Sequence, residues 1–382
     1  GRVGGSTVRW LLQFAKEEGT HLQVAIGGRS ERHFEGARAR LESKLGWPAG
    51  EDHLKFVACD LDDPSSLDRA LASVDVCVHT AGPFQSVEMP TVLEACVRCR
   101  VPYCDVCDNS ELARFGRNEL GDLAVTNGVP AIVAGGIWPG VSALMAAAAV
   151  KRVCGDNADA TADVEMNFFT AGTGNAGNSI VAATFHLLDE PVYAIRDGRE
   201  AFLEPWTERR EVEFGAGVGT RSIYLLDNPD VFTLSESVLK GRVHSMCSRF
   251  GTAPQIWNEL FGVVGLLPGT VLRDRGLMAF AAAFSNPIIR IVDALVGATN
   301  AMRIDARTKD RSVLLELVHP DLEDCVGLAT AAFAWELLHG RVDVGVHYAC
   351  ELADTTAGDN ILLRAQRGGA WREADSEARV SG

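Results

Sequence analysis

Through residues 1–153, short apolar runs alternate with longer amphipathic ones, and this constrains the chain more than any other feature. Leu22–Gly27, Leu54–Cys59, Val74–Thr80, Val101–Val106 and Pro130–Ala134 read as strands. Between them, Val8–Glu18, His33–Leu45, Ser65–Ala72, Met89–Cys99, Leu112–Asn127 and Val141–Arg152 carry apolar residues at helical spacing. Strands separated by helices have the long connections that parallel pairing needs. The expected architecture is therefore α/β, a doubly wound parallel sheet with helices on both faces.

The chain opens Gly1-Arg-Val3-Gly4-Gly5-Ser-Thr and runs straight into the first helix. Glycines ahead of a helix let a backbone approach a pyrophosphate, and the helix N-terminus offers it unpaired N–H groups. Gly1, Val3 and Gly4 are candidate cofactor contacts of a Rossmann-type domain. Gly1 and Gly4 fit the second and third glycines of the fingerprint. The first glycine and its strand are expected upstream of the supplied residues, because an interior parallel strand cannot be left out without exposing its neighbours' backbone groups.

The second strand ends Gly27-Gly28-Arg29-Ser30, with no carboxylate before Glu31. An acid at this place binds the ribose 2′-hydroxyl of NAD, whereas an arginine pairs with the 2′-phosphate of NADP. Arg29, with Ser30 beside it, is thus the expected selector of NADP, with a solvated arginine at a strand end as the alternative, and Arg32 and Arg38 can add charge. Asp60 closes the third strand, either within reach of an adenine or as a cap for its own turn. After the fourth strand come Thr80, Ala81, Gly82, Pro83 and Phe84, small residues and one ring that would line the nicotinamide face. Asp105 and Asp108 follow the next strand and are candidate substrate ligands or helix caps. Trp138 and Pro139, in Gly135-Gly-Ile-Trp-Pro-Gly-Val-Ser142, are substrate candidates on a second glycine turn, with a core anchor as the alternative for Trp138.

Beyond Gly155 the rhythm changes. Asp163–Thr170, Val192–Ile195, Ile223–Leu226, Arg242–Phe250, Met302–Arg307 and Ser312–His319 read as strands, with turns at Asp197-Gly198 and Thr308–Arg311. Helices are expected over Ser179–Leu188, Pro254–Leu266 and Leu277–Leu295. The glycine loop Gly172–Gly177 resembles an anion cradle. The division expected is a cofactor domain over 1–153, truncated at its start, and an α+β substrate or dimerisation domain over 154–319 with a mostly antiparallel sheet. A return helix over 320–352 packs on the first domain, and a polar tail fills 353–382. His319 reads as part of a helix-capping cluster, with a general acid as the alternative.

Net charge is −15 and the isoelectric point about 5.1, which argues against a nucleic-acid partner. No membrane span is expected, since the most apolar stretch, Leu277–Val296, carries Pro287, Arg290 and Asp293. The ten cysteines are scattered through apolar segments, as in a protein of a reducing, intracellular compartment. Cys96 and Cys99 fall on a helix and Cys104 and Cys107 on a strand, so no metal site is expected from them.

Four stretches occur in an order that resembles the saccharopine dehydrogenase-like oxidoreductases, close to their plant and algal branch. They are the glycine opening, Thr80–Phe84, Val101–Asp108 and Gly136–Ser142. Thr170–Gly177 and Pro287–Asp293 are similar to that branch too. The resemblance implies an NADP-binding Rossmann domain interrupted by a substrate or dimerisation domain, in plastid or cytoplasm. The function expected is NADP(H)-dependent hydride transfer on an unidentified small molecule. The alternative is a non-catalytic dinucleotide-binding or assembly module, with Leu260–Val296 as a homodimer surface.

Overall fold

The computed structural model describes residues 1–382 except 83, 85–86, 158, 172–186, 273, 275, 278–279, 281–296 and 378–382. It divides into two compact units, Gly1–Ile137 with Asp324–Ala365, and Trp138–Glu323 with Gln366–Gly382.

In the first unit, α1 (Arg2–Glu18), α2 (Glu31–Leu45), α3 (Pro64–Leu71), α4 (Thr91–Cys99) and α5 (Ser110–Asn127) alternate with strands. These are β1 (Val24–Gly28), β2 (Leu54–Ala58), β3 (Cys77–His79), β4 (Tyr103–Asp105) and β5 (Pro130–Val133). All pairings are parallel, in two pieces: β1 with β2, and β3 with β4 and β5. The second piece also takes β14 (Gly345–Tyr348), giving the order β14-β5-β4-β3. Among the described residues β1 and β3 each lack a neighbour on one side.

Local chemistry accounts for the helix ends. Asp63 and Asn109 cap α3 and α5 by accepting from the Ser65 and Leu112 N–H groups. Gly19, Gly46 and Gly128 end α1, α2 and α5 in the left-handed conformation that a side chain resists. The glycine opening, expected as a turn, is helical from Arg2 on, so α1 begins six residues earlier than its apolar stripe. Its close neighbour is α10 (Leu322–Leu338). A Cβ on Gly327 would lie 2.4 Å from the Ser6 Cβ, so only glycine permits this approach. Asp324 fixes the contact by accepting from Ser6 Oγ at 2.8 Å, Trp10 Nε1 at 3.0 Å and the Arg9 guanidinium.

The second unit contains α6 (Val141–Cys154) and a nine-stranded mixed sheet. Its main path is β15-β13-β12-β6-β11-β10-β9, with β7 on β11 and β8 on β7. The ranges are β6 Ala162–Ala171, β7 Val192–Arg196, β8 Arg199–Leu203, β9 Arg210–Phe214, β10 Gly219–Leu225, β11 Val243–Ala253, β12 Thr299–Arg307, β13 Arg311–His319 and β15 Ala370–Glu377. Only β6 and β11 run parallel; every other described pair is antiparallel. Three short or mid-length helices, α7 (Pro229–Glu236), α8 (Gln255–Val264) and α9 (Gly269–Leu272), complete the described part of this unit.

Two elements form in the segment read as a polar tail: α11 (Thr356–Ala365) and β15, which pairs with β13 along eight residues. The Gly172–Gly177 loop, the Ser179 helix up to residue 186 and most of Leu277–Leu295 lie outside the described residues.

Candidate functional site

The carboxyl ends of β1 to β5 carry most of the residues singled out from the sequence. Gly1 is the N-cap of α1 and accepts from the Gly5 N–H through its carbonyl. Val3 and Gly4 lie in the first turn. A Cβ on Gly4 would come within 2.7 Å of Thr80 Oγ1, so the first turn of α1 sits directly against the end of β3. Ala81 and Gly82 beyond it are exposed, and Pro83 lies outside the described residues.

Arg29 follows β1, is exposed and makes no ion pair among the described residues; the same holds for Arg32. Arg38 differs, because its Nε donates to Glu42 Oε1 at 3.2 Å. Ser30 takes the N-cap position of α2, but its hydroxyl makes no capping bond. Asp60 Oδ1 accepts from the Asp62 N–H at 3.2 Å, the local turn that was the alternative reading.

Asp105 is 4% exposed, and its carboxylate accepts three hydrogen bonds from the protein. Oδ1 accepts from the Cys107 N–H at 3.0 Å and the Ala134 N–H at 2.8 Å, and Oδ2 from Tyr103 Oη at 2.8 Å. The carboxylate thus ties the end of β4 to the end of β5. Burial pushes its pKa up to about 6 against these three donors. Asp108 is half-buried and has a partner of its own. The Phe84 ring is buried in an apolar cluster with Cys107 and Leu112, and it meets the His79 ring edge-on at 5.1 Å.

His79 and Tyr103 are members that the sequence reading passed over. Tyr103 gives its only hydroxyl hydrogen to Asp105, so the 3.2 Å contact with His79 Nδ1 requires the hydrogen to sit on that nitrogen. His79 Nε2 then presents a lone pair, and it is buried with no hydrogen bond among the described residues. Burial lowers the His79 pKa to about 4, outweighing the nearby Ala81 carbonyl, which favours protonation. The ring is therefore neutral at neutral pH. Period two already aligned these groups: Cys77 pairs with Tyr103 and His79 with Asp105, so all four share one face of the sheet.

Trp138 and Pro139 belong to the second unit. Trp138 Nε1 donates to Asn300 Oδ1 at 3.1 Å, and its ring stacks on Phe168 at 5.2 Å, as a core anchor does. Next to it, Gly140 has φ 127°, a conformation that favours glycine, and its N–H donates to Asp230 Oδ1 at 3.1 Å. Ser142 Oγ donates to the other oxygen. Burial raises the Asp230 pKa to about 7. His319 Nδ1 accepts from the Asp321 N–H at 3.1 Å just ahead of α10, a local cap.

Residues 1–130 match the family model described as the saccharopine dehydrogenase NADP binding domain. The match covers about a third of the chain. The saccharopine dehydrogenase-like oxidoreductases of Mus musculus and Homo sapiens are 25% and 24% identical over 117 residues, 31% of this chain. That alignment spans 27% of the relatives, about a quarter of their length. Among solved structures, the apo, histidine-tagged saccharopine dehydrogenase (L-Glu forming) from Saccharomyces cerevisiae matches 98% of both chains. The TM-score is 0.65 at 14% identity, a likeness of fold.

The first unit fits a dinucleotide by its own chemistry. The Gly4–Thr80 approach keeps the first turn of α1 and the end of β3 free of bulk. Exposed Ala81 and Gly82 leave that edge open, and Arg29 supplies an uncompensated cation at the end of β1. Asp105, by contrast, is buried and spends three of its acceptor sites on protein donors.

Proposed function

We propose that the chain is an NADP(H)-dependent oxidoreductase that moves hydride between the nicotinamide and a small molecule. The observation that carries this reading is Arg29, an exposed guanidinium without a carboxylate partner at the strand end where the adenosine ribose is read. There it would take the 2′-phosphate as a bidentate anion. Gly1, Val3 and Gly4 would face the pyrophosphate, and Thr80, Ala81 and Gly82 the nicotinamide. When bound, the cofactor supplies the hydride, and the protein's part is to position the reactants and exclude water. Neutral His79, held by Tyr103 and Asp105, would offer its Nε2 lone pair as an acceptor behind that edge. A substrate domain in the second unit, a homodimer, and a plastid or cytoplasmic location are parts of the same reading.

The burial of Asp105 among protein donors favours one further reading, a dinucleotide-binding module without catalysis. Fluorescence titration of the full-length protein with NADPH and NADH, repeated with Arg29→Glu, tests the first. NADPH should bind more tightly than NADH, and the variant should lose that preference. Equal affinities in the unaltered protein refute the role of Arg29. Tight NADPH binding without turnover across a panel of imines and carbonyls selects the module.

A further inference from the structure

A cleft of about 580 Å3 opens in the second unit, beside β9 and β10 and the ends of β6, β11 and β12. Phe169, Val218 and Ala253 line it, and all three belong to one apolar core cluster. Its volume falls within the range of small-molecule sites, roughly 300–1,000 Å3.

Arg221 on β10 is the charged feature of this cleft. Its guanidinium lies 5.1 Å from the centre of the Phe169 ring. Its Nε is buried and has no hydrogen-bond partner, and the side chain makes no ion pair among the described residues. The contrast with nearby cations is sharp. Arg209 pairs with Glu211, Arg303 with Asp305, Arg372 with Glu316, and Arg249 with Glu165. Glu211 is the carboxylate that lines the cleft, and Arg209 and Ser222 Oγ already engage it. A chain of net charge −15 therefore leaves this half-buried guanidinium without a carboxylate partner among the described residues, over an aromatic floor.

The Nε–H is shielded and unpaired, so a carboxylate in the cleft would meet the guanidinium end-on through its Nη–H groups. The apolar floor would receive a hydrocarbon body. We propose that this cleft binds a small carboxylate with a short apolar tail, its carboxylate on Arg221 and its tail against Phe169, Val218 and Ala253. The site lies within one unit, and its assignment does not rest on the NADP(H) reading.

Isothermal titration of the full-length protein with hexanoate, hexanamide and acetate tests the assignment. Hexanoate should bind saturably, and hexanamide and acetate at least about tenfold more weakly, the amide for want of charge and acetate for want of a tail. Arg221→Met keeps the aliphatic stem on Phe169 and should abolish the preference for acid over amide. Equal binding of acid and amide, or an acid preference that survives Arg221→Met, overturns the proposal. If Arg221→Met does not fold, hydrogen exchange on the unaltered protein decides. Hexanoate should protect residues 219–225, and protection confined to other segments overturns the proposal.

Discussion

Replacing Asp105 by asparagine should change the pH dependence of stability in a calculable way. Burial raises the carboxyl from an ordinary value of 3.8 to about 6, so the folded protein holds this proton more tightly than the unfolded chain does. The stability conferred by the proton is complete below about pH 4, declines as pH rises, and is gone above about pH 6. With about 1.4 kcal/mol for each pH unit of difference, the total is about 3 kcal/mol. Asparagine has the same shape and can still accept from the Cys107 and Ala134 N–H groups, but it does not titrate. The wild-type advantage over Asp105→Asn should therefore shrink by about 3 kcal/mol between pH 4 and pH 7, all other titrations being common to both proteins. Urea denaturation followed by far-UV circular dichroism at a series of pH values measures this difference. A stability gap that stays constant with pH, or widens as pH rises, refutes the assignment. Asp105→Ala is the contrasting case. It leaves the two N–H groups and the Tyr103 hydroxyl unpaired, which should cost about 3–6 kcal/mol throughout.

Asp324→Ala removes the acceptor shared by Ser6, Arg9 and Trp10 and should destabilise the first unit by about 2–4 kcal/mol in a thermal melt. Burial opposes ionisation of Asp324, but the Arg9, Ser6 and Trp10 donors prevail and lower its pKa. Its stabilisation is thus present at neutral pH and lost as pH falls through that lowered value, so the variant's penalty should shrink in acid. Arg249 is fully buried between Glu165 and Glu208. Arg249→Met should cost about 2–4 kcal/mol by leaving Glu165 with Arg210 as its remaining ion-pair partner among the described residues, and Glu165→Gln in the same chain should recover part of the loss in urea denaturation.

Much of the first unit could be read from periodicity alone. Its strands are short apolar runs punctuated by glycine, and its helices carry one apolar stripe each, so pattern and burial coincide. Arg29 could be singled out because its proposed role lies in a position, the end of a strand, and not in a contact. The His79–Tyr103–Asp105 chain was not, although two-residue spacing aligns its members. Histidine and tyrosine inside an apolar run look like core residues, and only the pairing of β3 with β4 brings them into line. Asp230 is legible only through its contact with Gly140, because 88 residues separate it from Ser142. β15 escaped notice because Ala370–Glu377 is polar on both faces. Its order comes from the backbone ladder with β13 and from Arg372 on Glu316, neither of which leaves a hydrophobic period. The opening glycines misled in the other direction. They suggested a turn, yet Gly4 and Gly5 lie inside α1, where Gly4 serves close packing on Thr80.

The pairing of β14 with β5 has a consequence for biosynthesis. β5 ends at Val133, but the strand that covers its outer edge begins at Gly345. A ribosome must therefore release the entire intervening unit before the first sheet can close on that side. Until then β5 presents an open row of backbone groups to other nascent chains, a template for mispairing. Folding in order of synthesis is thus not available to this unit, and its last strand acts as a late checkpoint that couples completion of the sheet to translation well beyond the second unit's sheet strands β6 to β13.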